Sequence, residues 1–189
     1  MRAVGLVIVL AVLAASSLPS QASAIRSFTL QELFAEAHLV VVGDLTSRTS
    51  FWNDAHDTIY TEYTVRPERV VKGKAPAELR LRLMGGSLDG KTLTVPGNAR
   101  VEEGERVLLV LRDQGTYQTL VGMSQGKWSV RRVNGEDRAW RGGRLSPVEP
   151  VRDGEVRLDD LLDEMQGPPV PKVPSMTSMQ PGIDEGGQP

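Results

Sequence analysis

The apolar positions of this chain change period several times, and each period predicts a different element. From Leu30 the spacing is helical: Leu30, Leu33, Phe34 and Ala37 recur at i, i+3, i+4 and i+7, the stripe of one buried helix face. Thr29 stands at the N-cap position with Glu32 three residues on, a capping-box pair, and Phe28 is placed to staple onto Leu33. His38 closes the helix, where an imidazole is favourable near the negative end of the dipole. The run Leu39-Val40-Val41-Val42-Gly43 then reads as a strand, because β-branched side chains suit a pleated surface.

Beyond it, period two dominates. Ile59, Thr61, Tyr63 and Val65 alternate with Glu62, Thr64 and Arg66, the pattern of a half-buried strand. Pro67 cannot donate to a ladder, so it marks an edge or a bulge. Leu79 to Leu83 alternates leucine inward with Arg80 and Arg82 outward. Thr92 to Val95 is a shorter strand between glycine turns, and Tyr117 to Met123 is another. Val107 to Leu111 is apolar without alternation, which predicts a strand covered on both faces. Asn134-Gly135 is the strongest short hairpin signal in the chain, joining Lys127–Val133 to Arg138–Trp140. Leu158, Leu161, Leu162 and Met165 return to helical spacing. Six to eight short strands between turns predict a small barrel or a sandwich, with a short C-terminal helix packed on it.

The two ends of the chain differ from this middle. Met1-Arg2 gives a positive start, Ala3 to Ala15 is an apolar run of 13 residues, and Ala22-Ser23-Ala24 forms a small-x-small cleavage site. A spanning helix needs roughly 20 apolar residues, so residues 1–24 read as a signal peptide and not as a lasting membrane anchor. The protein is expected to be exported, periplasmic or extracellular, starting at Ile25. Residues 166–189 hold six Pro and four Gly, a composition that cannot bury enough apolar area to order itself. They read as a disordered tail, which leaves 25–165 as one domain. There is no cysteine, so no disulfide framework, thiolate nucleophile or Cys-based metal site is available. The net charge of −2 is not the footprint of a nucleic-acid binder.

Candidate chemistry is sparse. Gly122-Met123-Ser124-Gln125-Gly126 is a literal G-x-S-x-G, but a nucleophile elbow needs a helix after the turn and a His further along. Here an alternating strand follows, with Trp128 and Val130 opposed to Lys127, Ser129 and Arg131, and both histidines precede the serine. Ser124 therefore reads as part of a turn. His56 sits among Trp52, Asn53, Asp54 and Asp57, and imidazole beside carboxylates raises either a metal site or a small hydrolase. No metal-ligand spacing is present, and Asn, Asp and His favour loops, so a mobile hairpin loop is the simpler reading. Gly85, Gly86 and Gly90 around Ser87 and Asp89 lack the helix and G-K-[ST] of a phosphate cradle and read as a turn. With nine aromatic residues, the core is expected to claim two of Trp52, Trp128 and Trp140. Arg131, Arg132, Arg138, Arg141 and Arg144 would attract an anionic polymer, or simply cover a solvated hairpin face.

Taken in order, Leu30–Ala37 running into Leu39–Leu45, then Thr61–Val65, Val70–Gly73, Gly85–Gly90, Gly104–Leu111 and Tyr117–Val130, the segments resemble a widespread, largely uncharacterised family of exported bacterial domains. The resemblance covers roughly residues 27–133. It implies a mainly β, OB-like barrel similar to the netrin-like domain of tissue inhibitors of metalloproteinases, with an N-terminal capping helix. Those inhibitors act through an N-terminal cysteine that this chain lacks. The expectation is thus a non-catalytic binding module of the envelope or secretome, with no cofactor and no metal, and a protein or cell-envelope polymer as partner. OB-like barrels bind through a strand face and its flanking loops, which nominates Trp52, Asp54, His56, Asp57, Ser87 and Asp89 as contacts. A small secreted hydrolase using His56 and a protease inhibitor are the alternatives.

Overall fold

A computed structural model describes residues 26–142 and 154–168. The expected signal peptide 1–24, residues 169–189 of the expected tail, and Arg144 lie outside the described residues. Helix α1 (Leu30–Glu36) begins at Thr29, whose hydroxyl accepts from the Glu32 amide at 3.1 Å while the Glu32 carboxylate accepts from the Thr29 amide at 2.9 Å. The capping box is therefore complete, with two of the otherwise unsatisfied amides of the first turn answered.

Strands β1 (Leu39–Trp52) and β2 (Ile59–Lys72) form an antiparallel hairpin of 14-residue arms, longer than their alternation suggests. The extension passes through a bulge. Gly43 faces Pro67, the register shifts beside it, and a Cβ on Gly43 would strike the Arg66 carbonyl. Proline and its small partner together let two ladders continue across a residue that donates nothing. Strands β3 (Leu79–Met84), β6 (Arg106–Asp113) and β7 (Gln118–Leu120) complete a ring in the order β1-β2-β3-β7-β6, which β6 closes by pairing back onto β1. All neighbours are antiparallel except β3 and β7. The protein is thus mainly β, built on a closed five-stranded OB-like barrel with one helix near each end of its described residues.

A separate small hairpin, β4 (Gly86–Leu88) and β5 (Lys91–Leu93), sits over one part of the barrel, and its second strand is shorter and earlier than the sequence suggests. The expected strand from Tyr117 stops at Leu120, and a 3-10 turn, Met123–Gly126, leads into β8 (Lys127–Val133). Asn134 and Gly135, at φ 52 and 84, make the two-residue turn into β9 (Glu136–Trp140) that an Asn-Gly pair favours. The two-residue β10 (Val156–Arg157) ends the sheet and leads into α2 (Leu158–Gln166). Among the described residues no helix is long and apolar enough to cross a membrane.

Two apolar cores share one wall. Leu39, Val41, Val107, Leu109 and Leu111 point into the barrel with Val65, Leu81 and Leu83. Val40, Val42, Leu108 and Val110 point outward, where Leu33 of α1, Trp128 of β8 and all four apolar residues of α2 cover them. Both helices therefore lie on the flank of the barrel, and Gln31 of α1 donates to the Glu164 carbonyl of α2 at 2.8 Å.

One expectation is overturned in the same region. Arg131 does not cover a solvated hairpin face: it is 7% exposed, and Lys127 and Ser129 beside it on β8 are 2 and 5% exposed. Lys127 Nζ lies 2.6 Å from the buried Glu105 carboxylate and 2.9 Å from Ser129 Oγ, and Ser129 donates to the same carboxylate oxygen. Arg131 pairs with Glu155 at 2.7 Å. Alternation looks the same whether its polar face meets solvent or meets counter-charges from 22 and 24 residues away. Burial pushes the Lys127 pKa down, against the hydrogen bond and charge of Glu105, which hold it up. Glu105→Ala should lower unfolding free energy by about 3–5 kcal/mol in urea titration, since it strands a buried ammonium. The double variant Glu105→Leu/Lys127→Met should recover most of that loss; an E105A midpoint equal to wild type would contradict the assigned role.

Candidate functional site

Two hairpin tips meet at one end of the β1–β2 arm. The loop joining these strands is organised by Asn53. Its side-chain oxygen accepts from the amides of Asp57 and Thr58, both at 3.1 Å, and its amide nitrogen donates to Asp57 Oδ1 at 2.7 Å. Thr58 Oγ1 donates to the same carboxylate at 2.9 Å. The loop residue His56 sits at φ 56, the left-handed region that loop-forming residues tolerate. Its ring stacks beside Trp52 with centroids 6.4 Å apart and planes 19° from parallel, and its Nδ1 is 3.4 Å from the Asp54 carbonyl.

The second tip is the β4–β5 turn. Asp89 and Gly90 have φ 51 and 73, and this turn points the Asp89 carboxylate at the Trp52 indole, whose Nε1 donates to Oδ2 at 3.0 Å. Lys91 Nζ is 5.4 Å from the Trp52 ring centroid, within the range of a cation–π contact. The hairpin is seated by Gly86 (φ 136), where a Cβ would strike Thr61 Oγ1. Thr61 donates to the Gly85 carbonyl at 2.7 Å and shares a 2.9 Å hydrogen bond with Ser50. Ser87 Oγ lies 2.9 Å from Thr92 Oγ1 and lines a cleft of about 380 Å³ between hairpin and barrel, with Arg48, Tyr63 and Arg100.

The six residues nominated by sequence thus divide. Trp52, His56 and Asp89 are brought into one cluster. Asp57 is consumed by its own loop, Asp54 is exposed and offers its backbone oxygen, and Ser87 faces the neighbouring cleft. Sequence reasoning missed the opposite face of the sheet at this end. There Phe51 stands opposite Tyr60 with rings 6.2 Å apart. Arg82 lies 4.9 Å from the Phe51 ring and 4.0 Å from that of Tyr117, held by Glu62 at 2.9 and 3.2 Å. The signal was available: pairing Trp52 with Ile59 across a closed loop puts Phe51 opposite Tyr60.

Ser124 lies in the 3-10 turn with its amide bonded to the Gly97 carbonyl at 3.1 Å, and β8 follows where an elbow would need a helix. Its G-x-S-x-G glycines serve packing: a Cβ on Gly126 would strike the Val121 carbonyl. Among the described residues no group of three or more His, Cys, Asp or Glu is placed to hold a metal ion. No family model matches the sequence, and no curated protein matches it.

The hydrogen bonds from Asn53 and then Thr58 hold the Asp57 carboxyl below its ordinary value of 3.8. A depressed carboxyl stabilises the folded loop above the unfolded value, and that contribution is lost as pH falls through the folded one. In an NMR titration Asp57 should therefore protonate below 3.8, and Asn53→Ala should move its midpoint up. An unmoved midpoint would remove Asn53 as the cause.

Proposed function

We propose that this chain is an exported, non-catalytic binding module of the bacterial envelope or secretome, engaging a protein or cell-envelope polymer through the tips of its two hairpins. The observation that carries the reading is the posture of Trp52. A large ring that is half-exposed and held by a hydrogen bond to Asp89, with His56 and Lys91 against it, presents ordered area without further loss of rotamer freedom on binding. Phe51, Tyr60, Arg82 and Tyr117 form a second ordered patch on the opposite face of the same strands, because successive strand side chains point to opposite sides. The resemblance to exported OB-like, netrin-like domains supports the same class, and the apolar segment before Ala22-Ser23-Ala24 supports export.

The hydrolase alternative has weaker support. A general base needs a group that orients it, whereas His56 stacks on Trp52 and the neighbouring Asp57 is occupied by Asn53 and Thr58.

Tagged residues 25–189, incubated with envelope and culture-supernatant extracts, should retain a partner identifiable by mass spectrometry or carbohydrate assay. Trp52→Ala should reduce retention about tenfold or more while shifting unfolding free energy by no more than about 1 kcal/mol. Equal retention by wild type, Trp52→Ala and Asp89→Ala would dismiss the hairpin tips as the contact. Hydrolysis of an extract polymer that disappears in His56→Ala would replace the binding reading with the catalytic one.

A further inference from the structure

A cavity of about 440 Å³ opens between the β5–β6 connection, the 3-10 turn and the ends of β8 and β9. It is lined by Asn98, Ala99 and Arg100, by Ser124 and Gln125, by Lys127, and by Arg141 and Gly142. Among the described residues no acidic side chain lines it. Lys127 is neutralised from beneath by Glu105. Arg100 and Arg141, by contrast, meet no carboxylate among the described residues.

Most of the other described arginines are paired with carboxylates, with Arg48 and Arg132 as exceptions. Arg69, Arg82, Arg106 and Arg112 each hold a carboxylate at 2.7–2.9 Å. The Arg141 guanidinium carbon lies 4.4 Å from the Trp128 ring centroid, at the border with a second cavity that Asp160 and Glu164 also line. The carbonyl of the next residue, Gly142, accepts from Lys127 Nζ at 3.0 Å and from Ser129 Oγ at 3.1 Å, which anchors the backbone that carries Arg141. Partial burial disfavours the charge on Arg141 and draws its pKa down, a cost that a bound anion would offset.

The third donor is the serine of the G-x-S-x-G stretch. Gly122 and Met123 have φ 65 and 58, so the chain turns sharply there and delivers Ser124 to the cavity wall. Gln125 cannot serve as a further donor: its amide nitrogen already bonds the Arg26 and Gly122 carbonyls, at 2.9 and 3.3 Å.

We propose that this cavity binds a phosphoryl group, with Arg100 and Arg141 as forked donors and the Ser124 hydroxyl as a third. Donors on three separate segments suit a tetrahedral oxyanion; a planar carboxylate is satisfied by a single guanidinium fork. The group arrives as free phosphate or as a phosphodiester of an anionic polymer. The site shares no residue with the Trp52–Asp89 cluster, so it stands or falls apart from the function proposed above.

The test is an NMR titration of the full chain with inorganic phosphate against chloride at constant ionic strength, with parallel arms using acetate and a glycerol-phosphate oligomer. Saturable shifts should concentrate at Asn98–Arg100, Ser124–Gln125 and Arg141–Gly142, and acetate should bind more weakly. Arg100→Gln, at an exposed position, and Arg141→Gln should each weaken phosphate about tenfold or more, while Arg132→Gln should leave binding unchanged. Saturation by the oligomer as well would point to a polymer, and saturation by phosphate alone to the free ion. Shifts that spread over the surface cations without saturating, or survive in both Arg100→Gln and Arg141→Gln, would overturn the proposal.

Discussion

Strand β6 has no polar face, and the rest of the structure is arranged to satisfy it. Val107 through Leu111 are each 0% exposed, so every side chain of that run needs an apolar neighbour on one side or the other. Odd positions fill the barrel and even positions meet the two helices and Trp128. Its backbone is equally committed. One edge pairs with β1 along six residues, and the other is divided between β8, against Val107–Leu109, and β7, against Leu111–Asp113. Fully burying one such side chain contributes about 1.5–3 kcal/mol. In a chain without cysteine, burial of this kind holds the fold with no covalent cross-link.

Dividing one edge of β6 has a cost that β8 bears. A strand that leaves the barrel yet stays under cover must bury both of its faces, so its polar positions need internal partners. Lys127 and Ser129 share Glu105, and Arg131 holds Glu155. Such pairs contribute little net stability against an apolar replacement, but a slipped register would leave each charge without its partner. They act on specificity: β8 has one register, and Gly142 and Glu155 are both tied to the same face of it.

What was legible in the sequence is what is decided locally. Thr29 and Glu32 are three residues apart, Asn134 and Gly135 are adjacent, and Val107–Leu111 carries its double burial in its composition. What escaped is decided by residues distant in sequence. The long arms of β1 and β2 depend on Gly43 lying opposite Pro67; proline marks an edge or a bulge, but not the small partner that lets the strand run on past it. The burial of Lys127 depends on a carboxylate 22 residues earlier. Composition marked Trp52–Thr58 and Gly85–Lys91 as separate loops, but their meeting rests on contacts distant in sequence, the Trp52–Asp89 hydrogen bond across 37 residues and Lys91 against the same indole. The aromatic face went unread because Phe51 and Tyr60 become neighbours only once the hairpin register is known.

The same hairpin explains why display does not disturb the core. Along β1 the first five residues are buried, and the positions from Ser47 onward are exposed or half-exposed, so one continuous strand is wall at one end and platform at the other. The register shifts fall between Val40 and Ser47, within and just past the buried half, leaving a regular ladder from Arg48 to Trp52 to hold the tip. A binding residue carried on a paired strand is positioned more tightly than one on a free loop. Charge follows the same economy. The chain is slightly acidic overall, and screening confines exposed charges to about 8–10 Å at physiological salt. Attraction for an anion must therefore be local, set by cations that have no carboxylate close by among the described residues.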